Sequence, residues 1–204
     1  MRLLTFAVLL FALPACAARA QQKPEVPTPL ATAGLAGQTV TVLPLTMAVT
    51  DPRLPGTGPA ARAATLAWAD SLIGDMLQER APEVTWMLPA ELRRIAERAP
   101  GMIPSPDKMG QSVMRNPRMN SVPDPLRSYL RQLVGMAGGA RYALIPAAMT
   151  LTPAGVDSLE VTLSAILADG RMGTVLWRTR AVGRGETATD AMRIALATIV
   201  PVEP

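Results

Sequence analysis

Few side chains in this 204-residue chain can do chemistry, and their types narrow the field at once. There is no histidine, and Cys16 is the single cysteine. Without an imidazole or an internal thiol, the usual zinc site, a Ser-His-Asp triad and a Cys-His dyad are out of reach. Carboxylates remain. Asp70 and Asp75 flank Ser71, and Glu160 lies much later. Hydrolysis by two carboxylates needs both to face one cleft, about 5 to 9.5 Å apart. No partner motif accompanies these three. A solvated helix face therefore accounts for Asp70 and Asp75, and a carboxylate hydrolase or glycan-binding module stands as the alternative class. Thioethers at Met102, Met109, Met114 and Met119 could hold Cu(I). Met-x-x-Met spacing is missing and no His or Cys supports them, so the reading for this segment is packing or disorder. No catalytic, cofactor or metal residue is assigned.

Arg178, Arg180 and Arg184 run along a strand and just past it. If Arg178 and Arg180 share a face, they can meet anionic lipid, glycan or a partner's carboxylates. A charged outer face that resists edge pairing explains them as well. With Met109, Met114 and Met119 they make up the candidate interaction surface. Gly183-Arg184-Gly185 precedes a helix but lacks the G-x-G-x-x-G spacing of a phosphate cradle.

These residues must be positioned by a core built from Leu, Val, Ile, Ala and Met, because the chain is 49% hydrophobic but only 3% aromatic. The net charge is +4, with 18 arginines to 2 lysines and no basic run of five or six. That leaves no nucleic-acid footprint. Met1-Arg2 is a basic start, and the apolar run from Leu3 to Leu13 is too short for a membrane span, which takes about 20 residues. Ala18-Arg19-Ala20 fits small-x-small cleavage, so 1–20 reads as a signal peptide and the chain as exported. Leu13-Pro14-Ala15-Cys16 also resembles a bacterial lipobox, with Pro14 as a departure. Cys16 is thus the candidate lipidation site, although soluble export is preferred. The location is periplasmic or outer-membrane-associated, with membrane contact only through such an anchor.

Residues 21–37, rich in Pro, Ala, Thr and Gln, read as a flexible tether. The domain then spans 38–204. Strict alternation from Leu159 to Ala168, the turn Asp169 to Gly173 and a return strand from Thr174 to Gly183 predict the hairpin that organises it. Thr39 to Leu45, Val84 to Pro89 and Arg141 to Leu151 are the other strands. Each carries an apolar-proline pair (Leu43-Pro44, Leu88-Pro89, Ile145-Pro146), which marks a strand end, bulge or edge. The spacing predicts helices over 62–81, 90–99, 126–137 and 188–200, the last capped by Thr187 with Asp190 in its first turn. Residues 100–125, with six prolines and little periodicity, form a long loop. The expectation is a single α/β domain, a mixed five-stranded sheet with helices packed on it, in the order βαβααβββα.

Thr41-Val42-Leu43-Pro44-Leu45, the Asp70-Ser71-Leu72 helix, Tyr142-Ala143-Leu144-Ile145-Pro146-Ala147 and Asp169-Gly170 to Trp177 resemble the TolB amino-terminal-like superfamily. That group includes curli-secretion lipoproteins and lipoprotein activators of penicillin-binding proteins. The resemblance covers roughly Thr39 to Val200. It implies a domain of the bacterial envelope that works by protein contact, with an envelope protein or by self-association, and not by catalysis. The long loop and the imperfect lipobox are its departures. A secretion subunit with transmembrane strands would need an outward apolar band, which the chain shows nowhere beyond the hairpin.

Overall fold

The computed structural model describes residues 27–55 and 58–201. The expected leader and Cys16 lie outside them. The strands are β1 (Thr39–Val42), β2 (Ala48–Thr50), β3 (Thr85–Met87), β4 (Tyr142–Pro153), β5 (Leu159–Asp169) and β6 (Val175–Gly185). The helices are α1 (Pro59–Arg80), α2 (Pro89–Arg98), α3 (Leu126–Met136) and α4 (Ala188–Ile199). They form one mixed α/β domain around an open six-stranded sheet, ordered β3-β1-β4-β5-β6, with β2 beside β4. β1 runs parallel to β3 and β4, while β4, β5 and β6 are antiparallel neighbours.

The strand beyond the expected five is β2, and the three prolines explain it. β4 pairs with β1 at residues 142–144 and with β2 at 149–151. Between these contacts β4 bulges at 146–148, where Pro146 has no N–H to donate. The facing segment breaks at Pro44, so β1 and β2 are two halves of one interrupted strand. Pro89 instead opens α2, where its missing N–H has no intrahelical partner to lose.

Alternation in β5 sends Val161, Leu163, Ala165 and Leu167 into a first core with α1 and α4. The opposite face begins polar, with Glu160, Thr162 and Ser164. Its far half is core too: Ile166 and Ala168 join Ala143, Ile145, Leu92, Leu130 and Leu133 in a second core under α2 and α3. Helices therefore cover the sheet on both sides.

Two expectations are corrected here. The described part of the supposed tether, 27–37, is docked. Leu30 and Leu35 are buried in the first core, the Leu30 N–H donates to the Ile199 carbonyl (2.7 Å), and the Trp177 indole donates to the carbonyls of Thr28 and Pro29. Composition alone could not show that two leucines find a groove beside α4. The Met members of the candidate interaction surface are the second correction: of the two readings for loop 100–125, packing or disorder, packing is the one present. Met109 and Met114 are 3% and 0% exposed, in the second core with Ile103 and Val122, and Met119 packs half-buried against it. Flexible thioether chains fill an aperiodic gap that branched residues would not fit. None of the three is a free interaction surface.

The hairpin turn follows the expected chemistry. The Asp169 carboxylate accepts the N–H groups of Arg171 (2.9 Å) and Met172 (2.8 Å) and pairs with Arg141 (3.1 Å). Burial works to raise its pKa, but the Met172 N–H, Arg141 and the Arg171 N–H outweigh it and hold the group below its ordinary 3.8. With the folded pKa depressed, its contribution is present above pH 3.8 and fades as pH falls through the folded value. Asp169→Asn should therefore be less stable than the parent near neutrality, with a flatter stability profile in acid. Urea melts at a series of pH values would refute this if the two profiles stayed parallel.

Candidate functional site

The break between β1 and β2 lies at the carboxyl end of β1, and the helices that follow in the chain go to opposite faces of the sheet. Open α/β sheets take ligands at such points. Here the chain's own groups occupy the break. The Leu45 N–H donates to Asp70 Oδ1 (2.7 Å), and the Gln111 amide donates to the Pro44 and Pro106 carbonyls (2.9 Å each). Arg93, from α2, bridges Asp70 (2.8 Å) and Asp107 (2.7 Å). Asp70 is therefore not the solvated residue expected; it is buried and holds the backbone at the break. Burial pushes its pKa up, with a further push from Asp107, against the Leu45 N–H and Arg93. Asp107 is pulled down, by its hydrogen bond from Arg93 first, against burial.

The three carboxylates of the hydrolase alternative do not converge. Asp70 is engaged at the break, and Asp75 is exposed on α1, which packs on the first face of the sheet. Glu160 lies on the second face of β5, paired with Arg184 (2.8 Å). Among the described residues, no group of three or more Asp, Glu, Cys or His could hold a metal ion.

The open site is elsewhere. α2, α3 and the loop cover only the half of the second face nearest the 169–174 turn. The other half is bare and forms the floor of a groove of about 1270 Å³, walled by 113–117 of the loop. Small and hydroxylic side chains from β4 and β5 (Ala148, Thr150, Thr162, Ser164) line the floor, and Arg178, Arg180 and Val182 from β6 complete it. Period two does place Arg178, Arg180 and Arg184 on one face. Their roles differ. Arg178 donates to the carbonyls of Met114 (2.6 Å) and Met119 (2.8 Å), tying the loop to the sheet. Arg184 pairs with Glu160 beyond the groove. Arg180 is exposed in it, and from the loop wall so is Arg115, a residue the sequence did not single out.

Arg178→Ala should leave two loop carbonyls without their donor, at about 2 kcal/mol of stability. Trypsin should then cut after Arg115 or Arg118 at least about tenfold faster, because the wall opens locally. An unchanged cutting rate would show that Arg178 does not hold the loop.

Gly183 and Gly185 are explained by packing and not by anion capture. A Cβ at Gly183 would lie 2.0 Å from the Ala191 carbonyl oxygen and 2.5 Å from the Ala195 nitrogen, so α4 rests directly on β6. Thr187 caps α4 as expected, accepting the Asp190 N–H at 3.1 Å.

This geometry defines a mixed α/β domain with a bare sheet face as its open surface. No family model matches the chain, and none of the curated proteins matches it. Several solved structures are similar. The LpoB C-terminal domain from Salmonella enterica is 16% identical over 72% of this chain and 82% of its own, with a TM-score of 0.38. Lipoprotein GNA1162 from Neisseria meningitidis is 18% identical over 72% and 80%, with a TM-score of 0.35. A PelC dodecamer from Paraburkholderia phytofirmans is 14% identical over 88% and 96%, with a TM-score of 0.40. GNA1162 is a lipoprotein, as are the proteins the short motifs resemble. At these scores the likeness carries no argument about what this chain binds.

Proposed function

We propose that the chain is an exported, non-enzymatic module of the bacterial envelope that binds another envelope protein, or a second copy of itself, through the bare half of its sheet. The observation that carries this reading is the groove. It is bordered by exposed Val49, Val113 and Val182, and among the described residues neither a carboxylate nor a cysteine lines it. Exposed apolar side chains gathered beside a polar floor mark a contact surface more than a reaction centre. The leader pattern of 1–20, with cleavage after Ala20 or lipidation at Cys16, supports export, and among the described residues no helix is long and apolar enough to cross a membrane. A photocrosslinking residue placed at Val49 or Val182 in intact cells should give discrete adducts with a protein, while one at exposed Ile194 on α4 should not. Adducts from Ile194 alone, or from none of the three, would refute the assignment.

A further inference from the structure

The groove's charge is one-sided. Arg115, Arg178 and Arg180 line it, and among the described residues no aspartate or glutamate does. The acid on the same face of β5, Glu160, is already paired with Arg184 outside the groove. Among the described residues Arg180 makes no hydrogen bond or ion pair, and Arg115 gives one N–H to the Ser112 carbonyl (3.0 Å). Two exposed guanidiniums, Arg180 from the floor and Arg115 from the wall, thus face one cleft beside three exposed valines.

On this basis we infer that the groove takes an extended acidic segment of a protein partner, with its carboxylates on Arg115 and Arg180 and its apolar side chains over Val49, Val113 and Val182. The inference rests on the contact reading above and names the partner's chemistry. Three observations select it. A volume of about 1270 Å³, open to solvent, exceeds the roughly 300 to 1,000 Å³ typical of a small-ligand pocket and suits a length of chain. The lining has no aromatic side chain, so a sugar ring or base finds nothing to stack on. The arginines would repel one another across a symmetric contact, which favours an acidic partner over a second copy.

The test uses the purified full chain and three probes: a labelled ten-residue peptide alternating Glu and Val, the same peptide with Lys for Glu, and polygalacturonate. The Glu/Val peptide should bind by fluorescence anisotropy and weaken with salt. Arg115→Glu and Arg180→Glu should each raise its Kd at least about tenfold. Arg180→Gln should do so less, and Arg193→Glu on α4, with the same change in net charge, should not. Circular dichroism would confirm that the variants fold. Equal binding of the Lys/Val peptide, equal losses in Arg193→Glu, or displacement by polygalacturonate would each overturn the inference. Protein adducts at Val49 or Val182 alongside a peptide that fails to bind would remove the acidic occupant and leave the contact surface standing. Tight, Arg180-dependent peptide binding without adducts would do the reverse.

Discussion

Gly183→Ala should unseat α4 and destabilise the domain by about 4 kcal/mol or more, enough to prevent folding in many domains of this size. The added methyl would overlap helix backbone on two sides, and backbone, unlike a side-chain end, cannot swing away. Relief requires α4 to lift from β6, which exposes Ala181, Ala191 and Ala195, all fully buried, and strains the seat of Leu196 and Ile199. Gly185→Ala meets the Ala191 nitrogen at 2.7 Å and Asp190 Cβ at 2.6 Å and should behave similarly but more mildly, since this end of β6 meets only the first turn of α4. Gly34→Ala is the control. Nothing lies within 4 Å of its Cβ position, and the change should stay within about 0.5 kcal/mol. Urea denaturation followed by circular dichroism reads all three. If the Gly183 variant melts with the parent, α4 is not seated as described.

Asp70→Ala should cost about 3 kcal/mol, the second large effect. It removes the acceptor for a buried backbone N–H at Leu45 and one of the two carboxylates on Arg93. The loss falls at the low end for a buried pair because Arg93 keeps Asp107. Asp70→Asn retains an oxygen for Leu45 and should lose about half as much. Amide exchange at Leu45 separates the two: it should speed up strongly in the alanine variant and little in the asparagine one. Equal exchange in both would mean that the carboxylate does not hold the strand break. The burial that raises the Asp70 pKa adds a pH signature. A group raised in the folded state contributes most below its ordinary 3.8 and less as pH rises through the folded value, opposite to Asp169.

What the sequence made legible was local. Alternation along Leu159 to Ala168, the Asp169 turn, the Thr187 cap and the spacing of Leu126, Leu130 and Leu133 each carry their signal within a few residues, and each is present. The shared face of Arg178 and Arg180 was equally readable from period two. What stayed hidden depends on partners far along the chain. β2 is three residues long and exists because β4 is long enough to pair past its own bulge. Met114 looked like loop because its core contacts come from strands whose placement no local period reports. Asp70 looked like a polar face because its partners are Leu45, 25 residues back, and Arg93, 23 residues on. The groove inherits this limit. Its arginines could be named, but its wall is a segment whose attachment runs through Arg178 to Met114, 64 residues away.

The docking of 27–30 fixes the face of the sheet on which the described chain begins. This stretch enters the first core, next to Trp177 and the end of α4, on the side of the sheet opposite the groove. The chain at Thr28 therefore lies across the sheet from Arg115 and Arg180. A probe attached at Thr28 would accordingly report on the back of the domain and leave the cleft unobstructed.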